Sequence, residues 1–597
     1  MRCDTEADLL KINALANKGE LFAAVDAAVM ALQQFDQPSV ELRHLTVLLM
    51  ARAGSLNEAI RHFYNLGLDN DTGVEARTLG ARLLKDIAFS TRPEKQHEAL
   101  ESAGAAYLQI YQDTKDSYPG INAATLAALA GDFSTAKSLA AKILKTLALS
   151  PDQHSYWHYA TVAEAHILCG DDDAALKAIT LAAASEATNL TNRASTLAQL
   201  RRLLTAQDRP HDILKPLTPK ITLHYTGHMI AAQGDSGRIL AEHENELSLR
   251  ISRAIDAIDP GAAFGALASG SDILIAEHLI KRNIDLHVIL PFAIDEFVDV
   301  SVRPAGAQWI KRFHACISQA KTLGFLTEQP YLNDDLLFGI AAKLAMGRAI
   351  LHAGHISGEA RQLAIWDRRK TSTPAGTSAD VVNWQERGND THIVDVADLG
   401  NLPKKSSTTG PSSFPNGTRV EAAMLFGDVK GFSKLNDAEL PLFVEHILGT
   451  IKNHLGKKKK CPRLVNTWGD GLFAVWDTPV HAARQALLIQ DAIAEFSSGK
   501  TKLPMEFSMR ISLHHGVAHR LMDPILNQEN YFGEAVARAA RIEPITPPGG
   551  IYTTEQFAAM LMLENHSPVV AEYVGKIAAA KDFGSFPLYR LRWKLAH

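Results

Sequence analysis

Several features that mark other classes of protein are scarce or missing in this 597-residue sequence. The four cysteines, Cys3, Cys169, Cys316 and Cys461, form no CxxC pair, so neither a disulfide framework nor a zinc site is expected. No apolar run of about 18 residues predicts a transmembrane helix, and the first residues lack the apolar core of a signal peptide. The formal net charge of −5 gives no reason to expect a nucleic-acid or membrane-surface binder. These absences favour a cytoplasmic protein with neither nucleic-acid nor membrane partners.

Helical spacing of Ala and Leu dominates residues 1–215, and a short phrase recurs there. Gly19, Gly54, Gly131 and Gly170 each precede an alanine by five residues. Such a glycine ends one helix, and the alanine lets the next helix approach its neighbour closely. The phrases resemble tetratricopeptide-like helical repeats, which implies a solenoid with a surface for a protein partner. An irregular helical bundle is the alternative.

Strands and helices alternate in residues 219–398, which favours a parallel sheet with helices on both faces. Ligands of such folds bind at the carboxyl ends of the strands. The candidate ligand-binding residues there are Gly227, Ser269, Gly270, Asp272, Gly376 and Thr377. The stretches "ASGSDILIAEHL" and "LHVILP" resemble the SLOG superfamily of Rossmann-like domains, which implies a nucleotide-derived ligand. Alternatively, these glycines only form tight turns and Asp272 caps a helix.

A segment rich in Pro, Ser, Gly and Lys, residues 399–418, predicts a flexible linker. The pattern after it predicts β-α-β-β-α-β, the ferredoxin-like order, in which the first and third strands are neighbours. Asp428 ends the first strand, and Asp470 lies between two glycines in the central hairpin. Two close carboxylates repel each other unless a cation intervenes, and Mg²⁺ or Mn²⁺ suits oxygen ligands near phosphate. The residues alone therefore predict metal-assisted phosphoryl or nucleotidyl transfer. Trp468, beside the hairpin, is predicted to belong to the core.

Four stretches together resemble the catalytic domain of class III adenylate/guanylate cyclases. The likeness covers nearly all of residues 419–592, and the predicted catalytic domain spans residues 419–597. They are "LFGDVKGFSKL", "NTWGDGLFAVW", "MRISLHHGVA" and "YFGEAVARAARIEPITPPGGIYTTEQFA". The resemblance implies that Asp428 and Asp470 hold two Mg²⁺ or Mn²⁺ ions per active site. It also implies that Arg541 stabilises the phosphates in the transition state and that Lys581 binds the triphosphate.

The resemblance further implies backbone contacts to the triphosphate from Val429, Lys430, Gly431 and Phe432. Family active sites form between two catalytic domains. A chain with one such domain therefore implies a homodimer acting on a nucleoside triphosphate.

Three positions depart from the family pattern. Asn466 and Asn530 occupy the base-selecting positions, and an amide, which both donates and accepts, dictates no base. Ala537 replaces the asparagine that orients the ribose; Arg538 is one candidate to compensate for it. ATP is the default substrate, and a GTP, UTP or CTP cyclase of antiphage signalling is an alternative.

Two other functions stay open. One is a degenerate cyclase domain that only senses nucleotides. The other is a SLOG-like enzyme acting on a nucleotide such as NAD, with a regulatory cyclase domain. The predicted fold is a multidomain α and α/β protein: a helical solenoid, a Rossmann-like parallel domain and a ferredoxin-like cyclase domain, with the upstream regions regulating the last.

Overall fold

The computed structural model describes residues 2–149, 155–185, 189–371, 373–401, 418–455, 460–498, 507–564 and 567–594. The predicted linker at 399–418 lies almost entirely outside these residues. Upstream of residue 207, the described chain is helical. Its helices are α1 (Arg2–Asn17), α2 (Leu21–Gln33), α3 (Val40–Arg52), α4 (Leu56–Asn65), α5 (Val74–Phe89), α6 (Pro93–Thr114), α7 (Ser117–Leu129), α8 (Phe133–Leu147), α9 (Tyr156–Cys169), α10 (Asp172–Ser185) and α11 (Leu190–Ala206).

The recurring glycines lie between the two helices of a pair, as the sequence predicts. Each adopts a positive φ that a residue with a side chain rarely takes: Gly19 79°, Gly54 80°, Gly131 89° and Gly170 84°. The alanines five residues later are buried at the helix contacts: Ala24, Ala59, Ala136 and Ala175. Helical repeats at the N-terminus are therefore confirmed.

The middle domain is built on a six-stranded sheet in which every pairing is parallel. Its strands are β1 (Ile221–Gly227), β2 (Pro260–Gly265), β3 (Asp285–Leu290), β4 (Thr322–Phe325), β5 (Ala360–Trp366) and β6 (Thr391–Asp395). Its helices are α12 (Glu244–Ile258), α13 (Ser271–Lys281), α14 (Ile294–Ser301), α15 (Ala307–Gln319), α16 (Leu336–His355) and α17 (Thr377–Gln385). The strand order β4-β3-β2-β1-β5-β6 changes direction between β1 and β5, where such sheets open a crevice for ligands. The parallel sheet is confirmed, and the Rossmann-like assignment stays a prediction.

The C-terminal domain forms an eight-stranded sheet. Its strands are β7 (Thr418–Lys430), β8 (Leu464–Trp468), β9 (Gly471–Trp476), β10 (Ser508–Asp523), β11 (Gln528–Phe532), β12 (Ile551–Thr554), β13 (Val569–Ala578) and β14 (Ser585–Trp593). Its helices are α18 (Leu440–Phe443), α19 (Gly449–His454), α20 (Pro479–Ser498), α21 (Glu534–Ile542) and α22 (Glu555–Leu563). The run β10-β7-β9-β8 has the predicted ferredoxin-like order. Strands β12, β14 and β13 extend the sheet beyond β10, and β11 pairs with the far end of β10.

Helix α16 is the one described helix that is long and apolar enough to cross a membrane by length and composition. In the fold it packs on strands β1, β2 and β3 and against α22 of the C-terminal domain. A Cβ on Gly347 would lie 2.2 Å from the carbonyl oxygen of Ala559, so only glycine fits that crossing. Ion pairs Lys343–Glu421 at 2.7 Å and Arg348–Glu555 flank it. The helix is therefore a core element joining two domains.

The first helices also contact the C-terminal domain, at the hairpin formed by β13 and β14. The ring of Phe22 stacks on that of Tyr573 at 4.1 Å between centroids. Asp26 accepts hydrogen bonds from the Tyr573 hydroxyl at 2.9 Å and from the backbone N–H of Lys576 at 2.8 Å. Ser55 donates to the carbonyl of Tyr573. Both upstream regions thus rest on the C-terminal domain.

Candidate active site

The two predicted metal-binding aspartates lie next to each other in the sheet. Asp428 lies near the end of β7 and pairs in register with Gly471, the first residue of β9. Asp470 precedes Gly471 in the turn between β8 and β9, where Gly469 has a φ of 66°. Burial and the neighbouring charge of Asp428 raise the pKa of Asp470. The hairpin therefore presents one carboxylate beside the other, as the sequence predicts.

Arg510 forms an ion pair with Asp428. The two residues are opposite each other on β10 and β7, and the Arg510 guanidinium donates to the Asp428 carboxylate. Its Nε lies 3.1 Å from an oxygen of Glu543, just after α21. Burial raises the pKa of Glu543, and the charges of Asp428 and Asp470 add to that shift. An acidic cluster with one central cation therefore replaces the simple pair expected from the sequence.

The donor set fits a hard divalent cation. Asp428 and Asp470 supply carboxylate oxygens, and the described residues contain no cluster of three or more His, Cys, Asp or Glu side chains arranged for a metal. Mg²⁺ is usually held by one or two carboxylates, with waters and substrate phosphates filling the other positions. Two adjacent aspartates that leave room for phosphate are therefore a suitable set for Mg²⁺ or Mn²⁺.

The predicted triphosphate loop borders the same hairpin. Val429 is buried, Lys430 is exposed, and Gly431 turns the chain with a φ of 109°. The ring of Phe432 contacts Phe443 at 4.9 Å between centroids and lies beside Gly469 of the hairpin turn. The segment of residues 429–432 is thus placed next to both aspartates.

Arg541 and Lys581 lie on neighbouring elements. Arg541 is half-buried on α21, which contacts the short turn Ala580–Asp582 that carries Lys581. Lys581 is exposed at the tip of the β13–β14 hairpin, with a φ of 60°. Within the described residues, neither side chain forms a hydrogen bond or ion pair with Asp428 or Asp470. In a single copy of the chain the two aspartates are therefore adjacent, and neither cation is bonded to them.

The two positions predicted to select the base come close to each other through Gln528, which the sequence did not predict. Asn466 on β8 accepts a hydrogen bond from Gln528 of β11 at 3.2 Å. Asn530 is two residues further along β11, on the same face, and donates to Asp523 at 3.2 Å. Amide side chains therefore line this spot, and none of them carries a charge.

Ala537 lies on α21, one turn before Arg541. Arg538, the candidate to compensate for the lost asparagine, forms an ion pair with Glu534 and lies over the ring of Phe586 at 4.9 Å. Arg538 is thus engaged elsewhere in this structure.

The prediction that Trp468 belongs to the core is wrong. The side chain is 57% exposed beside the acidic hairpin. Other exposed apolar residues lie on β8 and on the β10–β11 hairpin, which β8 contacts through Asn466 and Gln528: Val465, Met522, Ile525, Leu526 and Phe532. Trp468 is exposed because β8 is the last strand of the sheet, and no further strand of the described residues lies beside it.

A cavity of about 530 Å³ opens in the middle domain, where the strand order changes direction. Of the predicted ligand-binding residues, Gly227, Asp272, Gly376 and Thr377 line it. Ser269 is buried behind the cavity, with a hydroxyl that has no hydrogen-bond partner among the described residues.

Gly270, next to Ser269, has a φ of 93°, and a Cβ there would lie 2.5 Å from the backbone nitrogen of Ile230. This supports the alternative that this glycine forms a tight turn.

The same cavity contains acidic groups that the sequence reading did not single out. Asp380 accepts a hydrogen bond from Thr226 at 2.6 Å, and burial raises the pKa of both Asp272 and Asp380 to about 7. At the cavity mouth Asp367 contacts His228 at 3.1 Å and Arg238 at 2.7 Å. The cavity therefore combines a largely apolar lining with two buried carboxyl groups whose raised pKa favours the protonated form.

Comparison with known families identifies both ends of the chain. Residues 21–127 match the Tetratricopeptide Repeats-Sensor family, and residues 416–580 match the Adenylate and Guanylate cyclase catalytic domain. No curated protein matches the sequence.

Solved structures similar to this chain include the adenylyl cyclase CyaB from P. aeruginosa, with 14% identity, 30% of this chain and 97% of that one covered, and a TM-score of 0.26. Another is the guanylate cyclase domain of RhGC from Catenaria anguillulae in complex with GTP, with 20% identity, 30% and 99% covered, and a TM-score of 0.26. The assignment rests on the family matches and not on these scores. The chain therefore carries an adenylate and guanylate cyclase catalytic domain behind an N-terminal tetratricopeptide-repeat sensor region, and its enzyme class is that of the phosphorus–oxygen lyases.

Proposed function

We propose that the chain is a homodimeric nucleotidyl cyclase that converts a nucleoside triphosphate, by default ATP, to a 3′,5′-cyclic monophosphate and pyrophosphate. The observation that carries the proposal is the register of β7 and β9, which sets Asp428 beside Asp470. When bound there, Mg²⁺ or Mn²⁺ would favour ionisation of the ribose 3′-hydroxyl and neutralise charge on the phosphates. We place the reaction in the cytoplasm.

The chain's own residues have separate tasks in this proposal. The Asp428 and Asp470 carboxylates hold the cations, and the backbone of residues 429–432 orients the triphosphate. The 3′-hydroxyl gives up its proton to solvent and its oxygen attacks the α-phosphorus. The bond between the α-phosphorus and the α,β-bridging oxygen breaks, and the β- and γ-phosphates leave as pyrophosphate. Arg541 and Lys581 would donate to phosphate oxygens, since a guanidinium fork and an ammonium both suit that charge.

A dimer would bring these two cations to the aspartates of the other copy. The exposed apolar side chains around Trp468 supply a surface that a second domain can cover. In the proposed head-to-tail dimer, one copy provides Asp428 and Asp470 and the partner provides Arg541 and Lys581. The base would then meet the amides of Asn466 and Asn530, which leaves GTP, UTP and CTP as alternatives to ATP.

The upstream regions are proposed to regulate this site. Asp26 and Ser55 bind the β13–β14 hairpin, whose tip carries Lys581. A change in the first helices would therefore reach a residue of the catalytic site through one hairpin.

The test incubates the purified full-length protein with each of the four nucleoside triphosphates and Mn²⁺ or Mg²⁺, and identifies products by chromatography and mass spectrometry. We expect one cyclic monophosphate to dominate and to disappear in Asp428→Ala. A second candidate, a nucleotide sensor without turnover, is favoured by Ala537 and by the engagement of Arg538. Binding of a triphosphate with no cyclic product would support that candidate and contradict the first.

A further inference from the structure

A cavity of about 380 Å³ lies where the helical region, the middle domain and the C-terminal domain meet. Helices α3, α5 and α11 form one wall, the end of α16 with the residues after it forms another, and strands β13 and β14 form the third. We call it the junction cavity. Its charged lining residues are Arg52, Arg82, Lys85, Arg202, Arg592 and Lys594, with Asp86 and Glu572.

Positive charge dominates this lining. Six cationic side chains face two carboxylates, a surplus of four positive charges. Glu572 is engaged by Arg592, and Asp86 lies 3.6 Å from Arg82. Within the described residues, no ion pair joins Lys85, Arg202 or Lys594 to either of these carboxylates. Like charges gathered in a concave, poorly solvated place raise the local potential and attract anions.

Lys85 shows how strongly the cavity is biased towards an anion. Its side chain is 7% exposed, and its ammonium donates to Asn122 at 2.7 Å and to Gln199 at 2.9 Å, both neutral amides. Gln199 in turn donates to Glu164. The carboxylates of Asp86 and Glu164 attract Lys85 through space, without a hydrogen bond or ion pair to it among the described residues. A buried charge without a direct counter-charge is costly.

Arg82 adds an unused donor to the same wall. Its Nε is buried and has no hydrogen-bond partner among the described residues. Arg202 presents its guanidinium over the ring of Phe89 at 4.3 Å, which fixes its plane at the cavity edge. Planar guanidinium groups held in place suit the paired oxygens of phosphate groups.

We propose that the junction cavity binds a small anion carrying two or more phosphate groups. The volume admits a ligand of the size of pyrophosphate or of a single nucleotide, and the charge surplus matches several ionised phosphate oxygens. Such a ligand would touch all three regions at once. It would join the helical region to Glu572 and Arg592 on the hairpin that carries Lys581 at its tip. This regulatory consequence rests on the proposed cyclase function, whereas the binding itself does not.

The test is isothermal titration calorimetry on the full-length protein in EDTA, because metal-free conditions exclude triphosphate binding through Asp428 and Asp470. Pyrophosphate and ATP are titrated separately, and one anion per chain is expected for at least one of them. Tighter binding of ATP would identify a nucleotide as the ligand, and equal or tighter binding of pyrophosphate would identify a free polyphosphate. Absence of binding by both would overturn the proposal, whatever the cyclase activity.

Matched variants locate the site. Arg202→Gln and Lys594→Gln each remove one cation from the cavity edge, where the substitution leaves the buried packing intact. Each is expected to weaken binding by about ten-fold or more, since a hydrogen bond to a charged group is worth roughly one such factor. Arg303→Gln and Lys215→Gln, which lie on exposed surfaces outside the cavity, serve as controls and should leave binding unchanged. Equal affinity in the cavity variants and the controls would also overturn the proposal.

Discussion

At the scale of single residues, the acidic pair is already partly neutralised from within the chain. Arg510 contacts Asp428 and lies beside Glu543, so a cation entering the site must compete with a guanidinium. The side chains of Arg510 and Asp428 are 31% and 27% exposed, so solvent screens their interaction. The competition should therefore be modest.

Replacing Arg510 with glutamine should lower the Mn²⁺ concentration that half-saturates the cyclase. The competing charge is lost, and a screened ion pair of this kind corresponds to about two- to five-fold in affinity. The measurement is the initial rate as a function of Mn²⁺ at saturating nucleotide. Arg520→Gln, on the same strand and paired with Glu529, is the control. A higher half-saturating concentration in Arg510→Gln would contradict the competition.

The raised pKa of the Asp272 carboxyl leads to a prediction about pH. Burial raises its pKa from 3.8 to about 7, so the folded domain holds a proton that the unfolded chain releases. Stability from this group is complete below pH 3.8 and is lost as the pH rises towards 7, at about 1 kcal/mol per pH unit.

Asp272→Asn should therefore flatten the decline in stability of the middle domain between pH 5 and pH 7. Hydrogen exchange of β1 and β5 across this range measures it, with exposed Asp295→Asn as the control. An unchanged slope in Asp272→Asn would show that this carboxyl is ionised in the folded domain.

The residues that the sequence predicts are those whose role follows from local spacing. The turn between two glycines and the end of the first strand place Asp470 and Asp428. The roles of Arg510 and Gln528 were not predicted, because their contacts join strands that are far apart in sequence. The signal for Arg510 was nevertheless present, since the first and fourth strands of a ferredoxin-like sheet are neighbours. In the register of these two strands, Arg510 is opposite Asp428.

At the scale of secondary-structure elements, periodicity and glycines were enough for the helical repeats and the parallel sheet. The strand β4 and the extension of the second sheet by β12, β14 and β13 were not predicted. These strands are short or lie after irregular turns, and tertiary pairing rather than local pattern defines them. The hairpin β13–β14 matters most among them, because it links the first helices to Lys581.

Asp26→Ala should loosen that hairpin. The substitution removes acceptors for the Tyr573 hydroxyl and for the Lys576 N–H, and a hydrogen bond to a charged group is worth about 1.5–3 kcal/mol. Hydrogen exchange in residues 573–585 should become about ten-fold faster. Asp36→Ala, on the exposed turn after α2, is the control. Unchanged exchange in Asp26→Ala would mean that the first helices do not hold the hairpin.

At the scale of the whole molecule, the proposed active site is divided between two copies. Asp428→Ala and Arg541→Ala should each be inactive alone. Mixed and allowed to exchange subunits, they should recover about a quarter of the wild-type activity, because half of the dimers are mixed and each mixed dimer has one intact site.

The complementation requires that both variants dimerise, which sedimentation or light scattering checks before mixing. A variant carrying both substitutions, mixed with wild type, is the control, because each site of that mixed dimer lacks either the aspartate or the arginine and no activity is gained. If the two folded, dimeric single variants remain inactive after subunit exchange, the divided site is wrong.

The central claim is that the chain makes a cyclic nucleotide at the acidic pair. Its most direct test is the joint quantification of cyclic monophosphate and pyrophosphate formed by the full-length protein with Mn²⁺ and each nucleoside triphosphate. The account predicts equal amounts of the two products from at least one triphosphate, and neither product from a folded Asp428→Ala variant. No cyclic product from any of the four triphosphates, or undiminished product from Asp428→Ala, would contradict it.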